Sequence, residues 1–198
     1  ASPLLDRANL ILVTSAVAGE GKTFVTANLA FSIASEVDHT VLLIDADGGR
    51  AGLCRLLGAQ RSPGLSDVLA GEVSDLGDVI QETSIRNLRF IPAGTAYVHL
   101  DELFASEAMT ALMDEISERY RDRIVIFDSS PMLQTSESAV LAGLVGQTVF
   151  VVEADKTSES LVKDALAMLP DRDSVGLVLN KASRKTGPFS YGYGYARG

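Results

Sequence analysis

The chain has 198 residues, 46% of them hydrophobic and 22% charged, which is enough apolar material for one buried core and too much for a disordered segment. Its 17 Lys and Arg against 26 Asp and Glu give a formal charge of −9, which argues against nucleic acid as its main partner because a phosphate-backbone binder carries the opposite sign. The single cysteine, Cys54, can make neither an internal disulfide nor a cysteine-rich metal site, as expected in a reducing, cytoplasmic setting.

A strand is expected at 9–14, where Leu10, Ile11, Leu12 and Val13 run without a polar break. A helix follows at 22–35, and a second continuous apolar run gives a strand at 40–45. Residues 64–83 read as short helical turns punctuated by Gly64 and Gly71, ahead of a strand at 87–92. The segment 101–120 reads as one helix, since Leu103, Phe104, Met109, Leu112, Met113 and Ile116 form a stripe at helical spacing. Strands at 123–128, 148–153 and 175–180 alternate with helices at 136–144 and 157–169. Continuous rather than alternating apolar strands imply a sheet covered on both faces. The fold class is therefore α/β, a doubly wound and mostly parallel sheet flanked by helices.

The most apolar stretch, 139–154, is interrupted by Gly143, Gly146, Gln147, Thr148 and Glu153, so no membrane span is expected. The start at Ala1, without methionine or a signal-like region, suggests an upstream part that was removed or lies elsewhere. The core domain is expected to span 1–180. Residues 181–198 carry no aliphatic side chain larger than alanine and read as a flexible tail holding Tyr191, Tyr193 and Tyr195.

Between the first strand and the first helix stands Ala16-Val17-Ala18-Gly19-Glu20-Gly21-Lys22-Thr23, a P-loop pattern with alanine at the first glycine. Glycines let successive backbone N–H groups turn inward around an anion, and the helix adds its positive end. Ala18, Gly19, Glu20, Gly21, Lys22, Thr23 and Phe24 are thus the candidate nucleotide-binding residues. Lys22 should reach the β- and γ-phosphates, and Thr23 should sit on Mg²⁺. Asp45, Asp47 and Asp128 end strands where a parallel sheet places its ligand crevice. An isolated aspartate there reads as a turn or helix cap. Beside a P-loop, Asp128 becomes a metal partner, and Asp45 and Asp47 become candidates to hold metal or accept a hydroxyl proton, with Asp45 the expected base. Asn180 reads either as a contact to the nucleotide base or as a strand-end cap. His39 and His99 have no matching ligand set, Cys54 reads as packed, and Arg119, Arg121 and Arg123 read as a solvated helix end.

Taken together, 16–23, Asp45-Ala46-Asp47, the run ending in Asp128 and the tyrosine cluster resemble the bacterial protein-tyrosine kinases of capsule and exopolysaccharide synthesis, more narrowly the type accompanying exosortase loci. The likeness covers nearly the whole chain. It implies a MinD- and ParA-like P-loop fold, ATP and Mg²⁺ as cofactors, and phosphorylation of the tail tyrosines. The catalytic set would be Lys22, Asp45 and Asp47, and the metal set Thr23, Asp45 and Asp128. As partners it implies further copies of the chain, phosphorylated in trans, an inner-membrane chain-length regulator acting as activator, and a protein-tyrosine phosphatase. It also implies a place at the inner face of the inner membrane.

One position departs from the MinD and ParA ATPases, and three features depart from the kinase pattern: the displaced Arg50, Ser130 where proline or alanine often follows, and a missing ring-assembly motif. Val17 occupies the position of the signature lysine that MinD and ParA ATPases send across a dimer. Arg50 stands one place beyond the arginine usual after the D-x-D motif, and no E-x-x-R-x-x-R motif for ring assembly occurs between Ala1 and Ser15. From Asn180 to Tyr191 the extended chain reaches ~36 Å, so acceptance in cis or by a neighbour is open. The competing readings are a non-kinase nucleotide switch that recruits a membrane partner, with the tail as a low-complexity tether, and a small-molecule kinase.

Overall fold

The three continuous apolar runs become the centre of a seven-stranded sheet: β1 (Leu10–Ser15), β2 (Thr40–Asp45) and β5 (Arg123–Asp128). A computed structural model describes residues 7–170 and 174–183 of the chain. The remaining strands are β3 (Gln81–Glu82), β4 (Leu88–Ile91), β6 (Gln147–Glu153) and β7 (Val175–Asn180), in the order β3-β4-β2-β5-β1-β6-β7. All neighbours are parallel except β3 against β4. The register pairs Val13 with Asp128 and Asp45 with Asp128, so the acidic strand ends lie side by side at the carboxyl edge of the sheet.

Strand periodicity divides the core in two. Leu12, Leu42, Ile44, Phe127 and Phe150 face one layer, made by α3 (Leu65–Leu69), α4 (Leu100–Phe104), α5 (Glu107–Arg119), α6 (Glu137–Ala142) and α7 (Glu159–Ala167). Val13, Val41, Leu43, Phe90 and Ile126 face the other, made by α1 (Lys22–Ala34) and α2 (Gly52–Leu57). The small residues Ala27, Ala30 and Ala34 let α1 lie close to the sheet. This is the doubly wound arrangement implied by apolar strands without alternation.

The expected helix 101–120 is two helices. Ser106 breaks it, since its Oγ donates to the Leu103 carbonyl and accepts from the Met109 N–H, capping α5. The apolar stripe survives the break, with Phe104, Met109, Leu112, Met113 and Ile116 all in the core. Two elements escaped the sequence: α2, and the edge strand β3 within the region read as helical turns. Cys54 is packed in the second core layer, where burial pushes its thiol up to about 11. His39 and His99 are exposed, with His99 Nδ1 3.5 Å from Glu102. The basic patch is not simply solvated, because Arg119 and Arg123 lie 5.6 and 5.0 Å from the Tyr120 ring and Arg119 also pairs with Asp75 at 2.7 Å. Among the described residues no helix is long and apolar enough to cross a membrane.

The turn from β4 toward the site depends on a close backbone approach. A Cβ at Gly64 would stand 2.3 Å from the Pro92 carbonyl oxygen and 2.5 Å from the Gly94 nitrogen. Gly64→Ala is expected to destabilise the fold by about 2 to 3 kcal/mol, because backbone rather than a flexible side chain must move. Gly58→Ala, with φ of +63° and nothing within 4 Å, should cost about 1 kcal/mol. Urea unfolding midpoints compare the two, and equal losses would contradict the crowding at Gly64.

Candidate active site

The chain leaves β1 and enters α1 through Gly19 and Gly21, at φ of +91° and +93°, a left-handed backbone that glycine adopts without a Cβ penalty. Helix α1 begins on Gly21 with no side-chain cap, whereas α5 and α7 begin on Ser106 and Ser158, whose hydroxyls accept from Met109 N–H and Leu161 N–H. The first-turn N–H groups of α1 are therefore left for a ligand at the positive end of the helix, the electrostatic requirement of an anion site. A pocket of about 200 Å³ opens there, lined by Ala18, Gly19, Lys22, Thr23, Asp47 and both arginines Arg50 and Arg55.

Behind the loop, side chains hold its shape. Glu20 is buried, and its carboxylate accepts from Val17 N–H at 2.8 Å, Glu153 N–H at 3.2 Å and the Thr157 hydroxyl at 2.6 Å. Only the backbone of Glu20 remains for a phosphate. Asn180 donates from Nδ2 to the Glu20 carbonyl at 2.8 Å, and that atom lies 2.2 Å from where a Gly21 Cβ would stand. One N–H of its amide thereby braces the loop. Lys181 adds a contact from Nζ to the Gly19 carbonyl at 2.5 Å and to Glu153 at 3.2 Å.

In front of the loop stand the strand-end carboxylates. Asp45 and Asp128 are 0% exposed, Asp47 3% and Lys22 8%. Lys22 Nζ donates to Asp47 Oδ2 at 3.0 Å, joining the phosphate loop to the end of β2. Asp45 accepts from Asp47 N–H at 3.2 Å with one oxygen and from Cys54 N–H at 3.1 Å with the other, so it serves α2 much as a cap would. Asp128 accepts from the Thr26 hydroxyl at 3.1 Å with Oδ1, while Oδ2 is buried without a hydrogen-bond partner. Burial raises the affinity of both Asp45 and Asp128 for a proton, and Asp128 is pushed up to about 7 despite the opposing charge of Lys22. An orphaned carboxylate oxygen beside the Thr23 hydroxyl suits a hard divalent cation, so the donor set fits Mg²⁺.

Residues 8–160 match the family model of an AAA domain. CapB of Staphylococcus aureus, assigned as a tyrosine-protein kinase, is 30% identical over 93% of this chain and 80% of its own length. The kinase domain of Escherichia coli tyrosine kinase ETK superposes with a TM-score of 0.81 at 32% identity, covering 96% of this chain and 74% of that one. The chain belongs to the bacterial protein-tyrosine kinase family. Tyrosine-protein kinase Wzc of Salmonella typhi is 33% identical over 93% of this chain, which spans only 26% of the length of Wzc. The wider fold is that of ParA-type P-loop ATPases.

In this member of the tyrosine kinases, the sequence-derived set Lys22, Thr23, Asp45, Asp47 and Asp128 converges on one crevice. Phe24 sits on the first turn of α1, 62% exposed, and is absent from the pocket lining. Tyr191, Tyr193 and Tyr195 lie outside the described residues. Sequence reading missed Arg55 as a third cation of the phosphate pocket beside Lys22 and Arg50, because its position depends on α2, six residues too short to announce a period.

Asp128 gives a pH signature. Its folded value lies above the ordinary 3.8, so its contribution favours the fold at low pH and is lost as pH rises through about 7. Ligand-free protein should therefore lose stability between about pH 4 and pH 7, and Asp128→Asn should flatten that profile and exceed the parent by about 1 to 2 kcal/mol at the upper end. Parallel unfolding profiles for the two chains would contradict the burial of an uncompensated carboxylate.

Proposed function

We propose that this chain is an ATP- and Mg²⁺-dependent tyrosine autokinase that transfers the γ-phosphoryl group to Tyr191, Tyr193 and Tyr195 of another copy, and so regulates exopolysaccharide synthesis or export. One observation carries the reading. Asp47 lines both the 200 Å³ phosphate pocket and an adjoining open cleft of about 640 Å³. A hydrolytic switch needs room only for water at that point, whereas a kinase must admit a phenol and its peptide.

In this reading the amide nest at Gly19 and Gly21 and the first turn of α1 hold the β- and γ-phosphates, and Lys22 follows the transferring group. Thr23 and Asp128 would hold Mg²⁺, with Asp45 adding charge beside them; the ion would supply neutralisation of the phosphate oxygens. The tyrosine oxygen bonds to the γ-phosphorus as the bridging oxygen leaves with ADP, and the phenolic proton passes to a carboxylate. We place that proton on Asp47 rather than Asp45, because Asp47 lines the cleft that would admit the phenol and Asp45 does not. Asp45 then acts by fixing Asp47 and the start of α2. Arg50 and Arg55 supply positive charge over the phosphate pocket where Val17 supplies none.

The resemblance to the kinases of polysaccharide production extends the proposal to a further copy as acceptor, an inner-membrane chain-length regulator as activator, a phosphatase that resets the tail, and a site of action at the inner face of the membrane. Incubation with Mg²⁺-ATP followed by phosphosite mapping tests it. Phosphate is expected on the tail tyrosines, with Lys22→Met lowering the rate by at least about 100-fold. ATP hydrolysis without phosphotyrosine, with the full upstream region and activator present, would favour the nucleotide switch instead.

A further inference from the structure

Lys22 shares the phosphate pocket with two arginines that differ in what they border. Arg55 lines that pocket and not the adjoining cleft, whereas Arg50 lines both. The place of Arg55 is set by how α2 is built. Ala51, ahead of the helix, has a left-handed backbone at φ of 46° and ψ of 56°, which a residue with a Cβ adopts only when its surroundings enforce it. They do so here: the Arg50 and Ala51 N–H groups donate to the Asp47 carbonyl at 3.2 and 2.7 Å, and Ala51 is buried. The turn delivers Gly52 against the first turn of α1, so close that a Cβ there would stand 3.0 Å from Thr23 Oγ1. Leu53 and Cys54 then anchor the helix in the core, and the Asp45 carboxylate accepts from Cys54 N–H at 3.1 Å, one residue before Arg55. Arg55 itself is exposed; among the described residues its guanidinium donates once, to the Arg50 carbonyl, and forms no ion pair, while Lys22 is already held by Asp47. A guanidinium has five N–H donors, so most of those of Arg55 are uncommitted at the edge of an anion pocket.

Resting on the kinase reading, we propose that Arg55 is a catalytic residue of phosphoryl transfer, a guanidinium supplied in cis that holds the transferring group more tightly in the transition state than in bound ATP. As the tyrosine oxygen bonds to the γ-phosphorus, the bond to the bridging oxygen breaks, its electron pair leaves with ADP, and the phenolic proton goes to Asp47. Negative charge is redistributed over the bridging and equatorial oxygens during the step, where a planar fork can follow two of them at once. Lys22, a point charge paired with Asp47, lacks that geometry. Val17 stands where MinD and ParA ATPases carry the lysine sent across a dimer, so in this chain the added cation comes from α2. A helix tied to Asp45 and packed on Thr23 presents its arginine with little reorganisation, the condition under which a fixed charge lowers a barrier most.

Two measurements test this: steady-state phosphotyrosine formation by the protein with its full upstream region, and calorimetric binding of Mg²⁺-ADP with and without aluminium fluoride, a mimic of the transferring group. Arg55→Ala should lower kcat about 30- to 100-fold with the KM for ATP within about 3-fold, and Arg55→Lys should reach no more than about a tenth of the parental kcat. The parent should bind Mg²⁺-ADP at least about 30-fold tighter when aluminium fluoride is present; Arg55→Ala should forfeit most of that gain and keep its affinity for Mg²⁺-ADP alone. Because Arg55 is exposed, the urea midpoints of both variants should stay close to the parent's. Equal losses in Mg²⁺-ADP binding with and without aluminium fluoride would reduce Arg55 to a ground-state anchor and overturn the proposal, as would a parental kcat in Arg55→Ala, which leaves the kinase reading intact. ATP hydrolysis without phosphotyrosine in the parent, with the aluminium fluoride gain still dependent on Arg55, would contradict the kinase reading and leave the role of the arginine standing.

Discussion

Three buried carboxylates share one crevice with one buried ammonium. Asp45, Asp47 and Asp128 end adjacent strands, and Lys22 neutralises only one of them. Such a surplus of negative charge away from water is strongly unfavourable unless a cation or a proton accompanies it. The fold responds in part: Asp45 accepts two amide hydrogen bonds, Asp128 accepts one hydroxyl, and both hold a proton more readily than an ordinary aspartate. What is left over, the unsatisfied Oδ2 of Asp128, is instability stored in the ligand-free site. On the proposed function a metal bound with nucleotide would relieve it, so the same imbalance that weakens the fold alone would strengthen the complex.

The phosphate loop depends on a second use of a buried acid. Glu20 turns away from the ligand and ties Val17, Glu153 and Thr157 together, so that the end of β6 and the start of α7 back the loop. Asn180 and Lys181 tie the end of β7 to the same loop. Amides aimed at a phosphate stabilise it most when they need no rearrangement, and these contacts supply that rigidity. They also fix the position of Lys181, the residue that follows β7.

Much of this was legible in the residues. Continuous Val, Ile and Leu runs placed six strands, and their lack of alternation implied two covering layers, as observed for β1, β2 and β5. The glycine and lysine spacing placed the loop, and strand-end aspartates placed the crevice. Roles that depend on tertiary neighbours were not legible. Nothing local distinguishes Glu20 as a brace from Glu20 as a ligand, or assigns Asn180 to a carbonyl 160 positions away. The break at Ser106 was hidden because the stripe of apolar residues stays in phase across it. Helix α2 was missed for its length, and with it the reason Asp45 is engaged and Arg55 lines the pocket at the loop.

The central claim is that a metal and a triphosphate together compensate the buried carboxylates. Calorimetric titration of ATP into the chain, with Mg²⁺ and again with chelator, measures this directly. Binding that is at least about 30-fold tighter with Mg²⁺ is the expected result. Equal affinity in chelator, or no heat in either case from folded protein, would contradict it.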